Sequence, residues 1–517
     1  MKQINDHQRR IKLFLLVRQS IRITLFLLLI LIPSAFSQNP SPGIKGNKYS
    51  AAIDLLQELI QREMKNNNIP SIAIALVEDQ RIVWASAFGF SDPDKKIPAT
   101  SKTIYRIGSV SKLFTDIAIM QKVESGVLDI DAPITDYLPD FNPENPYDKK
   151  ITLRQLMSHR SGLVREPPIG NYFDPTEPTL SATVESLNLT KLVCEPESRI
   201  KYSNAAIAVT GYLLEKLENK PFADILKKNI LEPIGMTSSS FVPENQSSKK
   251  LAKGIMWTID GREFPAPTFE LGEAPAGCMY STVEDLGLFI SALFNAAEGK
   301  DNGILKHETL KEMWTPQFID DSIKWEHEIG LGFSLQSDFS DRMRVRHGGA
   351  IYGFSTELSI LPEDKFGVVV VSSKGSINDI NRNIADTALK LMIAIQKNTP
   401  FPKLKFVNMS NKRLIDAVDT LSETTGKSGS YEELGGLTGH YGWDHNILSV
   451  YEHEGNLYIH IEYFYIYKLI QVNENIFQFS KSGLYSGEDV VFSRDASGKA
   501  TNVSIGGRNG VIFKRRK

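Results

Sequence analysis

The chain has 517 residues, of which 41% are hydrophobic and 23% are charged. That balance is ordinary for a folded globular protein and excludes a disordered or collagen-like chain, and the length allows two or three domains. The 59 basic and 61 acidic residues leave a net charge of −2, so no basic surplus indicates a nucleic-acid partner. Two cysteines are too few for a disulfide-rich scaffold or a Cys-rich zinc module.

The N-terminus has the pattern of an export signal. Six basic residues and one acidic residue precede the uncharged segment Ile23–Ile32, and small residues lead up to Ser37. We therefore predict a signal peptide over residues 1–37 and an exported protein, periplasmic or secreted, with no stable membrane span after processing. A retained anchor and a buried helix are the alternatives, although a span needs about 20 apolar residues. After export Cys194 and Cys278 could pair, but two unpaired thiols are the favoured interpretation.

Residues 38–396 combine helical and strand patterns. Strands near both ends, with mostly helices between them, predict one sheet assembled from distant parts of the chain. The individual predictions are a helix over 52–64, one hairpin over 71–77 and 81–88, a second hairpin over 354–361 and 366–372, and a helix over 377–396. These elements predict a single domain over residues 38–396.

The C-terminal part of the chain has a different composition. Residues 397–430 contain Pro400, Pro402 and the polar run Ser422–Ser430, which predicts a linker. Residues 431–517 have alternating, aromatic-rich runs separated by glycine turns, which predicts a small all-β, barrel-like domain. Because the linker separates it from the motifs described below, we expect this domain to fold by itself and to be unnecessary for acylation chemistry.

One short motif suggests nucleophilic catalysis. Ser109 and Lys112 stand three residues apart at the head of a helical pattern, so they share a face while Ser111 points elsewhere. A hydroxyl needs a base before it becomes a good nucleophile, and a helix start offers N–H groups to a developing oxyanion. A helix cap explains Ser109 equally well. The sequence has no metal-ligand or cofactor motif, so we predict neither a metal nor a cofactor.

The Ser109–Lys112 pair is part of a series of motifs that follow one another along the chain. They are Tyr105–Lys112 (YRIGSVSK), Gly126–Pro133 (GVLDIDAP), Leu153–Leu163 (LRQLMSHRSGL), Tyr202–Asn204 (YSN), Pro275–Gly277 (PAG) with Tyr280–Thr282 (YST), and His347–Gly349 (HGG). In this order the motifs resemble those of the serine β-lactamase-related hydrolases, which comprise class C β-lactamases, low-molecular-weight penicillin-binding proteins, D-aminopeptidases and β-lactamase-like esterases. The resemblance covers about residues 50–396.

The resemblance implies both a fold and an activity. The fold would be the mixed α+β or α/β serine β-lactamase/transpeptidase-like fold, an antiparallel sheet flanked by helices with a helical subdomain. The activity would be that of a serine hydrolase that acts through an acyl-enzyme on an ester, an amide or a D-amino-acid peptide, so the partner would be a small-molecule or peptide substrate. The alternative is a penicillin-binding or sensor module of the same fold that does not turn over.

The same resemblance implies roles for individual residues. Ser109 would be the acylated nucleophile and Lys112 its proton acceptor. Tyr202 would relay the proton to the leaving group, and Asn204 would bond Lys112 or a substrate amide. His159, inside the third motif, is interpreted as a turn-stabilising residue.

Two departures from the family pattern bear on the substrate. His347 stands where most relatives have the lysine of Lys-Thr-Gly, and an ordinary histidine gains charge only below about pH 6.5. A weaker partner for a substrate carboxylate favours esters or peptides over β-lactams. Gly349 would let the strand approach the substrate, with the N–H of Ala350 completing the oxyanion hole with that of Ser109. Glu195–Glu197 replaces a Pro-Gly turn and predicts an altered loop.

Overall fold

The computed structural model describes residues 48–243, 250–258, 261–300, 304–318, 328–337, 339–407, 434–443, 446–462, 465–481 and 483–516. The chain divides into two compact units, Met1–Ser50 and Ala51–Lys517. The strands of the described ranges and the residues of the candidate site lie in the second unit. The predicted signal peptide, residues 1–37, lies outside the described residues, as does the linker beyond residue 407.

The described residues form ten α-helices. In chain order the α-helices of the described ranges are α1 Ser50–Asn67, α2 Ser111–Glu124, α3 Leu153–Met157, α4 Leu180–Ser186, α5 Asn204–Glu218, α6 Phe222–Leu226, α7 Ala274–Gly277, α8 Val283–Ala297, α9 His307–Met313 and α10 Asn378–Lys397. Short 3₁₀ turns lie at Gly108–Val110, Ile134–Asp136 and Leu187–Leu189, and a π-helical turn lies at Lys227–Leu231.

The strands fall into a first set before residue 373 and a second set after residue 438. The first set is β1 Ser71–Glu78, β2 Arg81–Asp92, β3 Ile97–Pro98, β4 Tyr105–Arg106, β5 Ile255–Trp257, β6 Glu263–Pro265, β7 Tyr280–Ser281, β8 Glu328–Ile329, β9 Ser334–Gln336, β10 Arg344–Ile351, β11 Phe354–Leu361 and β12 Phe366–Ser372. The second set is β13 Gly439–Trp443, β14 Asn446–His453, β15 Asn456–Ile461, β16 Tyr465–Lys468, β17 Ile470–Gln471, β18 Ile476–Gln478, β19 Asp489–Arg494, β20 Ala500–Ile505 and β21 Val511–Lys514.

A central antiparallel sheet joins the two ends of the first strand set. Its order is β3-β2-β1-β12-β11-β10-β9-β8, so β1 pairs with a strand about 300 residues later, in the register Ile72 opposite Ser372. Every residue of β11 and β12 is buried, and both α8 and α10 pack on β12. Helices therefore cover the sheet, which explains the continuous valine run of β12. The predicted sheet and the predicted fold class are confirmed.

The helices inserted between β4 and β7 share the core of the sheet. One buried apolar cluster runs from β1 through α2 and α5 to α8, and Phe114 of α2 stacks on Phe289 of α8 with ring centroids 4.3 Å apart. This insertion corresponds to the helical subdomain that the family resemblance implies. It places α2, which begins next to Ser109, against the sheet.

The second strand set forms two antiparallel sheets, β13-β14-β15-β16 and β17-β18-β19-β20-β21. Their side chains share a separate buried cluster, in which the ring of Phe477 meets that of Phe492 at 5.6 Å. A bridge between Tyr441 and Arg515 connects the first and last strands. We call this region the C-terminal β region. Phe173, from the part of the chain before α4, is buried in its core.

Candidate active site

The Ser109 hydroxyl and the Lys112 amine lie side by side where the chain enters α2. Ser109 belongs to the 3₁₀ turn Gly108–Val110, directly before the helix, so the side chain three residues later lies on the same side. Lys112 Nζ donates to Ser109 Oγ over 3.1 Å and to the carbonyl oxygen of Ala276 over 2.6 Å. Lys112 is 1% exposed. An amine is thus held beside a hydroxyl away from bulk water, where its neutral form can take the hydroxyl proton.

Ser111, the other serine of the motif, is held away from this pair. Its Oγ donates to the carbonyl oxygen of Gly108 over 2.6 Å and accepts from the backbone N–H of Met279 over 3.0 Å. The side chain is fully buried. Ser111 therefore fastens the turn that carries Ser109 and does not line the cleft.

Tyr202 packs against two cations and an imidazole. Its ring centroid lies 5.1 Å from Lys112 Nζ, 5.4 Å from Arg165 Cζ and 4.2 Å from the ring centroid of His159. The next residue, Ser203, caps α5 by accepting a backbone N–H of the first turn at 2.9 Å, which fixes the chain where Tyr202 leaves it. The ring of Tyr202 is therefore held beside the amine of Lys112.

His159 supports Tyr202 from the turn after α3. Its backbone φ is +57°, a left-handed conformation that fits the interpretation as a turn residue. Its Nδ1 accepts the backbone N–H of Ser203 at 3.3 Å. Burial and the positive charge of Lys112 hold the pKa of His159 well below its usual range, so the imidazole is neutral.

Strand β10 lies directly against the turn that carries the serine. A Cβ added to Gly349 would meet the carbonyl oxygen of Ile107 at 2.0 Å, and one added to Gly108 would meet the backbone N of Ala350 at 2.7 Å. Only glycine permits so close an approach of the two backbones. Ala350 is exposed at the cleft, so its N–H and that of Ser109 come from adjoining segments.

His347 lines the cleft as an uncharged residue. It is 6% exposed, and its Nδ1 lies 2.6 Å from the carbonyl oxygen of Gly348. Burial, together with the positive charge of Lys112, lowers the pKa of His347 to about 3. The expectation that it gains charge below about pH 6.5 is therefore wrong, because the sequence does not reveal that His347 is buried and that Lys112 lies nearby.

Asn204 does not take the place expected for it beside Lys112. Its Nδ2 donates to Glu166 Oε1 over 2.8 Å, and its Oδ1 has no hydrogen-bond partner among the described residues. Lys112 instead bonds the Ala276 carbonyl. A carboxylate is a stronger acceptor than a neutral group, which explains why the amide turns toward Glu166. Asn204 still lines the cleft, where a substrate amide can reach it.

The cleft above Ser109 has a volume of about 310 Å³. It brings together residues that the motifs did not single out, and these come from the segment between α3 and α4, from β10 and α10, and from the C-terminal β region. Those with polar or charged side chains include Arg165, Tyr172, Arg346, Asn378, Arg382, Glu462 and Tyr465. Arg165 lies two residues after the third motif and was within reach of sequence reasoning. No local pattern marks Glu462, because it reaches the cleft only through the packing of the C-terminal β region.

Two arginines bring positive charge to the cleft beside His347. Arg346 makes a two-pronged ion pair with the fully buried Glu357, with contacts of 2.7 and 2.6 Å. Arg382 of α10 lies 3.8 Å from Asp379, and its buried Nε has no hydrogen-bond partner among the described residues. The charge of Arg346 is thus matched within the protein, whereas Arg382 is less tightly paired.

The Glu195–Glu197 loop contains a residue in a left-handed conformation. Glu197 has a φ of +73°, a region that favours glycine. Its N–H donates to the carbonyl oxygen of Arg160 at 2.7 Å, and its carboxylate binds Lys149 and Gln155, each at 2.8 Å. These contacts offset the cost of about 1–2 kcal/mol that a side chain carries in this conformation.

Cys194 and Cys278 are free thiols. Within the described residues, no group of three or more His, Cys, Asp or Glu side chains is arranged to hold a metal ion. Across those same residues, no helix combines the length and the apolar character needed to cross a membrane.

The chain is similar in sequence to proteins of a known family. The model of the Beta-lactamase family matches residues 56–390. Beta-lactamase-like protein 2 of Dictyostelium discoideum is 29% identical over 327 residues, which cover 61% of this chain and 58% of that protein. The chain spans about three fifths of the length of the curated relatives it matches first.

Two solved structures are similar in fold. The octameric penicillin-binding protein homologue from Pyrococcus abyssi has a TM-score of 0.59 at 23% identity, covering 89% of this chain and 100% of its own. The D-amino acid amidase from Ochrobactrum anthropi SV3, in complex with L-phenylalanine amide, has a TM-score of 0.56 at 23% identity, covering 67% and 100%. The first match extends beyond the family domain and so includes part of the C-terminal β region.

Proposed function

Because this chain belongs to the Beta-lactamase family, we propose that it is a serine hydrolase that forms an acyl-enzyme at Ser109. The observation that carries the proposal is the 3.1 Å contact between Lys112 Nζ and Ser109 Oγ, buried beside Tyr202. A hydroxyl, an amine and a phenol in one cleft supply the nucleophile and the proton carriers that acyl transfer requires.

In the acylation step, the Lys112 amine takes the proton while Ser109 Oγ forms a bond to the substrate carbonyl carbon. The carbonyl oxygen becomes an oxyanion and accepts the N–H groups of Ser109 and Ala350, each donor contributing about 3 kcal/mol in such sites. Collapse of the intermediate breaks the bond to the leaving group, which receives the proton through Tyr202. The products are an acyl-Ser109 ester and a neutral alcohol or amine.

Deacylation uses the same groups with water as the nucleophile. Tyr202 and Lys112 take a proton from water while its oxygen bonds the acyl carbon. The second oxyanion then collapses and breaks the bond to Ser109 Oγ, which recovers its proton. A carboxylic acid is released and the site returns to its starting state.

The substrate class is an ester, an amide or a D-amino-acid peptide. A neutral His347 offers no cation at the position where β-lactam-binding relatives use lysine, which favours substrates whose reacting end lacks a carboxylate. The fold of the D-amino acid amidase supports the amide members of this class. Export to the periplasm or beyond is the second part of the proposal and rests on the basic and apolar pattern of residues 1–37.

The test is rapid-mixing kinetics with a panel of p-nitrophenyl esters, nitrocefin and D-Ala-D-Ala peptides on the chain lacking residues 1–37. A hydrolase gives a burst equal to the enzyme concentration, followed by steady turnover, and Ser109→Ala abolishes both. The comparison variant Ser111→Ala should keep a burst of the same size, with a lower rate, since it retains Ser109 while loosening the turn that carries it. A burst without a steady phase would favour the penicillin-binding or sensor module, and no reaction in the whole panel would refute both.

A further inference from the structure

A stack of side chains connects the candidate nucleophile to the C-terminal β region. Lys112 Nζ lies 5.1 Å from the ring centroid of Tyr202, and on Tyr202 lies Arg165, whose Cζ is 5.4 Å from that centroid. Arg165 Cζ is also 5.6 Å from the ring centroid of Tyr485, in the loop between β18 and β19. The Tyr485 hydroxyl donates to Glu462 over 2.8 Å. Arg165 is therefore held between an aromatic ring of the site and one of the C-terminal β region.

A second contact from the β18–β19 loop reaches the chain on both sides of the site. Glu488 Oε1 accepts the backbone N–H of Arg165 at 2.9 Å and the Lys201 ammonium at 2.6 Å. Lys201 also donates to the carbonyl oxygen of Leu484 at 3.0 Å. Lys201 and Glu488 are only 1% and 3% exposed. One carboxylate thus ties Arg165 to Lys201, the residue directly before Tyr202.

A third set of hydrogen bonds joins the same loop to Arg199, which lies three residues before Tyr202. Arg199 donates to the carbonyl oxygen of Lys481 and to both the hydroxyl and the carbonyl oxygen of Ser486, each at 3.3 Å. None of these bonds involves Arg165 or Lys201. Arg199 therefore offers a way to weaken the interface without disturbing the stack.

From these contacts we infer that Tyr485 and Glu488 are positioning residues for Tyr202, acting through Arg165 and Lys201. This inference rests on the proposed function, because Tyr202 is the proton relay there. The C-terminal β region then completes the catalytic machinery, contrary to the expectation that it is unnecessary for acylation. Its loop fixes the ring that transfers the proton, whereas the substrate-binding strand β10 belongs to the central sheet.

A misplaced Tyr202 and a loss of folded protein have different effects on the kinetics. Misplacing a catalytic group by about 1 Å costs up to about 100-fold in rate. Because Tyr485 and Glu488 touch neither Ser109 nor β10 in the contacts described, and reach the cleft only through Arg165 and Glu462, their loss should lower kcat much more than it changes KM. A merely structural interface would instead lower the amount of folded protein and leave kcat per active site unchanged.

The experiment measures kcat and KM with a p-nitrophenyl ester for the full chain lacking only residues 1–37, normalised to sites titrated by the burst. The variants are Tyr485→Leu, Tyr485→Phe, Glu488→Gln and Arg199→Ala. Tyr485→Phe keeps the ring on Arg165 and is the conservative rescue, and Arg199→Ala is the matched interface control. Thermal unfolding of each variant is recorded in parallel.

We expect Tyr485→Leu and Glu488→Gln to lower kcat roughly 10- to 100-fold with KM within about threefold, while Tyr485→Phe and Arg199→Ala stay near wild type. If Glu488→Gln fails to fold because it leaves the Lys201 ammonium unpaired, the Tyr485 pair still decides the question. Wild-type kcat in Tyr485→Leu, or an equal loss in Tyr485→Phe, would overturn the inference. A wild-type chain without turnover would instead overturn the proposed function.

Discussion

Replacing His347 with glutamine should reduce the loss of folding stability that occurs at acidic pH. Burial and the charge of Lys112 lower the pKa of His347 to about 3, whereas a histidine in an unfolded chain titrates near about 6.5. Between those values the unfolded chain binds a proton that the folded chain does not. Stability is therefore complete above about pH 6.5 and is lost as the pH falls toward about 3.

The size of the effect depends on how far the pH lies below the pKa of the histidine in the unfolded chain. At about pH 5.5, one unit below that value, protonation of the unfolded histidine lowers the free energy of unfolding by roughly 1–2 kcal/mol. No solvent screening reduces this figure, since His347 is 6% exposed. His159, whose pKa is lowered first by burial and then by the charge of Lys112, is present in both proteins and keeps these two causes in each.

The assay is urea unfolding of wild type and His347→Gln at about pH 8 and about pH 5.5. Glutamine keeps an amide near the Gly348 carbonyl and does not titrate. Between the two pH values the variant should gain roughly 1–2 kcal/mol on wild type, whatever its stability at about pH 8. The measurement at about pH 8 is the internal control, because His347 is then neutral in both states. A difference between the two proteins that is the same at both pH values would refute the reasoning.

The remaining predictions concern the chemistry. Lys112→Ala and Tyr202→Phe should each lower turnover by about 10²–10⁴-fold with the fold retained, and near-wild-type rates in either would show that another base serves Ser109. Mass spectrometry after treatment with a fluorophosphonate should place a single adduct on Ser109, and an adduct on Ser111 would contradict the assignment. His347→Lys should raise the ratio of kcat/KM for penicillins to that for neutral esters at about pH 7–8, since a charged partner roughly doubles the strength of a hydrogen bond. An unchanged or lower ratio would show that this position does not meet a substrate carboxylate.

Local patterns in the sequence determined much of the architecture. The two hairpins formed where apolar alternation stopped at polar turns, and the second runs from Phe354 to Leu361 and from Phe366 to Ser372 as predicted. The proximity of Ser109 and Lys112 was equally local, because residues three apart share a helix face. Such features depend on backbone hydrogen bonds and side-chain direction among residues that are close in sequence, so the local sequence is enough to predict them.

Tertiary structure alone decided the environment of those residues. Glu166 accepts a hydrogen bond from the Asn204 amide, and burial together with the charge of Lys112 lowers the pKa of His347. Glu488 bonded Arg165 from 323 positions along the chain. The pattern of apolar and polar residues in the sequence does not predict these contacts. A pKa and a hydrogen-bond partner depend on which charges and donors the packing of the chain brings within a few ångströms. The sequence thus determined the fold and the pairing of Ser109 with Lys112, and packing decided the charge of the cleft and the contacts that the C-terminal β region makes beside it.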